Sequence, residues 1–180
     1  MKTVEISVPR VNIDVDYALG WHNAQGVNIV PASTAEGSTV SWDFFESEGE
    51  SIIGFVTGGP VVSNNKTITL QGGKTYKLTG YLSLGPEGFS GSGNAQYSCQ
   101  WWNKNNEEYV GSRGGGNFSW GDNDIRAYGG AAPAIAYTGL DEDSELELHI
   151  TELRTFGSIS TVAYRPGTSF EIQHIQNLKI

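Results

Sequence analysis

Between Thr67 and Leu84 the sequence TITLQGGKTYKLTGYLSL alternates apolar and polar positions with period two. Ile68, Leu70, Tyr76, Leu78, Gly80, Leu82 and Leu84 share one parity, and Thr67, Thr69, Gln71, Thr75, Lys77, Thr79, Tyr81 and Ser83 share the other. Successive strand side chains point to opposite faces, so the pattern predicts two half-buried strands. Their tight connection lies at Gly72-Gly73, where a positive φ costs little. Leu78 is expected in the core and Thr79 outside it. Near the N-terminus Val4, Ile6 and Val8 form one alternating run, and Val11, Ile13, Val15 and Tyr17 another, with Pro9 as an edge or a break between them. Residues 18–38 lose the period and collect Gly, Pro, Ser and Thr. A long loop is expected there, with Trp21 and His22 exposed on it.

Val40, Trp42 and Phe44, followed by Ile52, Ile53, Phe55 and Val56, read as a hairpin with an acidic tip at Glu46–Glu50. Gly85–Gly93 reads as a loop, because it mixes Gly, Ser and Pro. Ala95, Tyr97, Cys99 and Trp101 then alternate with Gln96, Ser98, Gln100 and Trp102. Asn103–Gly130 is irregular apart from a short strand at Tyr109-Val110. Pro133–Thr138, Leu146–Ile150, Ser158–Tyr164 and Phe170–Ile172 supply further strands. Leu148 is expected inside, with Glu147 and His149 as an exposed pair beside it. No segment of eleven or more residues has i, i+3, i+4, i+7 apolar spacing, so no long helix is expected. The prediction is an all-β sandwich with jelly-roll topology over residues 39–180, preceded by an arm of strands and long loop over residues 1–38.

Composition sharpens this picture. The chain has 180 residues, 24 of them Gly, and only 17% are charged, which suits short strands joined by many turns. A net charge of −9 without any Lys/Arg cluster argues against nucleic acid and anionic membrane surfaces as partners. The N-terminus lacks the apolar block of a secretory signal, so assembly in a cytoplasm is expected unless a leader has been removed. The single cysteine, Cys99, excludes an internal disulfide and reads as a buried, inert thiol.

Candidate chemistry is sparse. There is no G-x-S-x-G, H-E-x-x-H or P-loop, so no enzyme is expected, although a pair of glycosidase carboxylates leaves no local signature. Trp102 falls outward among Gln96, Ser98 and Gln100. It is either covered by a loop or a subunit, or it is a stacking platform for a sugar. Trp120 lies in Phe118–Asp124, an aromatic and Asn/Asp-rich stretch. With Asp122 and Asp124 it has the composition of a glycan surface, where rings stack and carboxylates accept hydroxyl protons. The plainer alternative is a loop pinned by its aromatic residues. Asp122–Asp124 and Asp141–Asp143 carry oxygens of the kind calcium takes, but neither has the spacing of a calcium loop. Both read as ordinary acidic turns, and no metal or cofactor is expected. His22, His149 and His174 lack metal-ligand spacing.

Four segments carry a resemblance to a known family. They are Ile68–Tyr76 running on to Leu84, AQYSCQWWNKNNEEYVGSRG, AIAYTGLDEDSELELHI and the terminal FEIQHIQNL. Their order resembles the C1q/TNF-like jelly roll in the form used by small phage fibre and head-decoration domains. The resemblance implies a homotrimer, with its last strands near the three-fold axis, that binds rather than catalyses. The function expected is a virion structural protein of a tailed phage, either a capsid decoration or a fibre/attachment protein. It would be made in the host cytoplasm and would contact a shell, tail or fibre protein and a host-surface glycan. Val4, Ile6, Val8, Val11, Ile13, Val15 and Tyr17 would form its assembly arm. The alternative is a carbohydrate-binding module of a secreted glycan-active protein.

Overall fold

The computed structural model describes residues 17–21, 29–31, 35–42, 44–48, 52–55, 66–121, 124–129 and 132–175. Its named elements are all strands: β1 (Tyr17–Trp21), β2 (Ile29–Pro31), β3 (Phe44–Glu48), β4 (Ile52–Phe55), β5 (Ile68–Leu70), β6 (Lys74–Tyr81), β7 (Leu84–Asn103), β8 (Glu108–Gly121), β9 (Asp124–Tyr128), β10 (Ala134–Leu140), β11 (Ser144–Tyr164) and β12 (Ser169–Ile175). The first sheet runs β10-β6-β12-β1-β3. The second runs β4-β5-β11-β7-β8-β9, with β2 also on β11. From the chain ends inward, β1 pairs with β12, β5 with β11, β6 with β10 and β7 with β8, all antiparallel. An antiparallel ribbon wound round a core in this way is a jelly roll.

The expected alternation builds that core, although Thr79, expected outside it, is itself buried. Tyr76, Leu78, Leu82, Leu146, Leu148 and Ile150 are fully buried, and each such side chain contributes about 1.5–3 kcal/mol by leaving water. The edge of Phe170 meets Trp42 with ring centroids 4.8 Å apart and Trp101 at 6.2 Å. One flank closes by backbone contact. Gly111 has φ 74, and a Cβ there would lie 2.4 Å from the Ala136 Cβ. Ser112 Oγ donates to the Ile135 carbonyl at 3.2 Å, and the Ile135 N–H reaches the same hydroxyl at 3.3 Å. Glycine is required where β8 of one sheet meets β10 of the other this closely.

Several expectations change. Gly85–Gly93 is not a loop but part of β7, paired with β11 from Gly85↔Ala163 to Ser90↔Ser158. The irregular Asn103–Gly130 contains the 14-residue β8 and also β9. Residues 40–56 do not form a hairpin, because β3 joins β1 in the first sheet while β4 joins β5 in the second. The long loop expected over 18–38 is interrupted by paired strands. β1 lies between β12 and β3, and β2 pairs with β11 at Ala163–Thr161. In each case backbone pairing supplies the stabilisation, and it needs no alternating side chains. Tyr17 is the first residue of β1, whereas Val4, Ile6, Val8, Val11, Ile13 and Val15 lie outside the described residues.

Candidate functional site

Period two on β7 and β11 sends Tyr97, Cys99, Trp101, Leu146, Leu148 and Ile150 inward. Gln100, Trp102, Glu147 and His149 therefore stand on the outer face of the second sheet. The register places Trp102 between Glu147 on β11 and Tyr109 on β8. Its ring stacks on His149, with centroids 5.5 Å apart and planes 17° from parallel, and meets Tyr109 edge-on at 4.8 Å. Trp102 is half-buried by these neighbours, and Tyr109 is 43% exposed.

Glu147 is the hub of this face. One carboxylate oxygen accepts from Thr67 Oγ1 at 2.6 Å and lies 3.5 Å from Lys104 Nζ. The other accepts from Thr39 Oγ1 at 3.1 Å and from His149 Nε2 at 2.9 Å. The ionised carboxylate can only accept, so Nε2 carries the hydrogen of that bond. The His149 bond, with Thr67, Lys104 and Thr39 after it, holds the Glu147 carboxyl down at about 2 despite the opposing effect of burial. Its side chain is only 12% exposed. Glu147 therefore fastens residues 35–42, the start of β5 and the β7–β8 turn to β11. The expectation of an exposed Glu147–His149 pair fails for this reason. The hub was missed because Thr39 and Thr67 lie far from it in sequence.

The remaining candidates do not converge. Trp120 is not on a glycan-binding loop; it sits in β8 opposite Gly93 and is 1% exposed. Its ring packs near Phe118 and Phe89. A Cβ on Gly93 would come within 2.3 Å of that ring, so the glycines that suggested a loop make room for a core tryptophan. Asp122 lies outside the described residues. Asp124 begins β9, exposed, and accepts its neighbour Ile125's N–H at 2.7 Å. In the Asp141–Asp143 turn, Asp143 Oδ1 accepts the Gly72 N–H at 2.8 Å, tying two turns together. Burial raises the Cys99 thiol to about 12, which keeps it protonated.

The first sheet has a different outer face. Trp21 on β1, Ser169 on β12 and Tyr81 on β6 lie in one register row. The next row is Leu19, Glu171, Thr79 and, on β10, Ile135. Beyond it Lys77 pairs with Tyr137, which is 68% exposed. Trp21 and Tyr81 are 39% and 37% exposed and flank a cleft of about 240 Å³ over Ser169 and Glu171. This surface has a period-two trace in Leu19 and Trp21, hidden because the inward position between them, Gly20, is not apolar; Phe170 fills the space above it.

No protein-family model matches the sequence, and no curated protein matches it significantly. Among solved structures the chain is similar in shape to murine APRIL at pH 8.5. That match has 10% identity and a TM-score of 0.49, over 89% of this chain and 99% of the other. Murine APRIL at pH 5.0 gives 10% identity and a TM-score of 0.45 over 89% and 98%. Eiger TNF from S. frugiperda gives 10% and 0.39 over 89% and 92%. At these values the likeness is one of shape and does not extend to function.

Proposed function

We propose that this chain is a non-enzymatic assembly protein, a homotrimeric jelly roll serving as a capsid decoration or fibre/attachment protein of a tailed-phage virion. The observation that carries self-association is the outer face of the first sheet. It exposes Trp21 on β1, Tyr81 on β6 and Tyr137 on β10, with Leu19 and Ile135 half-buried beside them. Exposed aromatic residues clustered on one sheet face support an interaction site there, and a second copy is the partner always at hand. Attachment through residues 1–16 is supported by where β1 begins. Tyr17, the first residue of β1, lies opposite Gln173 near the end of β12. An arm there can reach a shell or tail protein while the opposite end stays clear.

The test is mass in solution, followed by decoration. The full chain should sediment at about 58 kDa, three times 19.4 kDa. A chain begun at Tyr17 should still sediment as a trimer and lose its place on the particle. A monomer at all concentrations defeats the self-association, and normal attachment of the shortened chain defeats the arm.

A carbohydrate-binding module of a secreted glycan-active protein is the second reading. The half-exposed Trp102–Tyr109 pair favours it, since both rings stand on an otherwise polar face. Affinity electrophoresis in polysaccharide gels should then retard the wild type and not Trp102→Ala.

A further inference from the structure

We propose that the free edge of β10 is the docking site for an extended segment of a partner protein. The segment adds as a further strand, with a Lys or Arg side chain turned into the cleft between β10 and β8. The two sheets are laced together along this flank and then part. Gly115 and Ala132 exchange backbone hydrogen bonds at 2.9 and 2.7 Å, and the Ser112 hydroxyl bonds both the N–H and the carbonyl of Ile135. Past Ile135 no hydrogen bond joins β8 to β10 among the described residues, and a cleft of about 380 Å³ opens there. Asn106 and Glu108 line it from the β8 side, Thr138 and Gly139 from β10, and Asp141 and Glu142 from the turn that follows β10.

The backbone of β10 is ready for pairing. This strand ends the first sheet, and its register with β6 runs without a bulge from Ala134 to Leu140. In an antiparallel ladder the backbone groups turn toward the partner strand and away from it at alternate residues. Ile135 turns its N–H and carbonyl away from β6, toward Ser112, so Tyr137 and Gly139 turn theirs the same way. No other described residue bonds these groups. Proteins blunt such an edge with Lys, Pro or a bulge, and AIAYTGL has none of them. An open edge is a template for strand addition, in which main-chain hydrogen bonds give affinity and side chains give specificity.

Charge selects the occupant. A strand added here extends the first sheet, so the side chains it turns inward enter the cleft. Three carboxylates line that cleft, and no Lys or Arg does. None of Glu108, Asp141 and Glu142 is in an ion pair among the described residues. Lys74, opposite Leu140 on β6, pairs with none of them. Glu108 Oε1 accepts one long bond of 3.3 Å from Asn106 Nδ2. A docked strand takes these carboxylates partly out of water, which favours a strand that brings a cation and penalises an acidic one. The net charge of −9 attracts the same partner at longer range. The contact uses the edge of β10 and not the outer face of its sheet, so it stands or falls separately from the self-association proposed above.

The probe is an acetylated, amidated octapeptide of alternating lysine and valine, titrated into the full chain while amide exchange is followed by NMR. It should slow exchange of the Tyr137 and Gly139 amides at least tenfold. The glutamate–valine counterpart should bind at least tenfold more weakly. Gly139→Pro removes an edge N–H that faces solvent, where proline is tolerated. It should leave the melting temperature near that of the wild type and abolish the protection of Tyr137. Glu108→Gln serves where the proline disturbs folding, and should weaken the lysine peptide several-fold. No binding of the lysine peptide at millimolar concentration, equal binding of the two peptides, or binding that leaves both amides exchanging freely overturns the proposal. So does protection of both amides in the chain alone, which would mean that the edge is already covered.

Discussion

The outer faces of the two sheets differ in how their outward side chains are held. On the second sheet Trp102 and Tyr109 stand among polar residues, and Thr39, Thr67, Lys104 and His149 converge on Glu147. On the first sheet Trp21, Tyr81 and Tyr137 stand exposed among Lys77, Ser169 and Glu171. Outward therefore means neither free nor polar. The faces differ because residues 35–42 cross over the edge of β11, where the Val40 N–H donates to the Leu148 carbonyl and the Ile150 N–H to that of Ser38. That crossing brings Thr39 to the hub. The second sheet's face is thereby fastened to its own chain through Glu147.

The comparison can be broken at four places. The largest effect belongs to the core that both faces share. Leu78→Ala and Leu148→Ala should each cost about 2–5 kcal/mol in urea unfolding, as large-to-small changes at fully buried sites. Next, Glu147→Ala should cost about 1–3 kcal/mol by leaving its hydroxyl and imidazole donors unpaired. Glu171→Ala on the other face should cost the monomer about 0.5 kcal/mol or less. Equal costs for the two glutamates would erase the distinction.

Acid tests the same hub. The Glu147 carboxyl is held at about 2 in the fold against its ordinary 4.5. Its stabilisation is therefore complete above pH 4.5 and is lost as the pH falls from 4.5 toward 2, by at most about 3 kcal/mol and less after solvent screening. Thermal melts at pH 7 and pH 3 should show a larger drop for the wild type than for Glu147→Gln; parallel drops would remove Glu147 as the acid-sensitive group. The smallest effect on stability is expected from Tyr137→Ser, within about 0.5 kcal/mol. That variant should nevertheless weaken self-association several-fold in sedimentation. An unchanged association constant would take Tyr137 out of the interface.

The alternation of Tyr97, Cys99 and Trp101 and of Leu146, Leu148 and Ile150 was enough to identify strands and their buried faces, because period two is a local property of the extended chain. The all-β class and the jelly-roll winding followed from many such runs without a helical period. Gly85–Gly93 and Asn117–Gly121 escaped this logic. The first is too rich in glycine and the Phe118–Trp120 alternation of the second too short to signal a strand alone, yet the first pairs with β11 and its Gly93 gives Trp120 space. What Glu147 touches, whether Trp120 is buried, and which sheet turns an aromatic face to solvent were decided by tertiary structure. Those outcomes depend on contacts between residues as much as 108 positions apart, such as Thr39 and Glu147. A side chain's parity is written in its neighbours along the chain, but its environment is written in strands that only folding brings beside it.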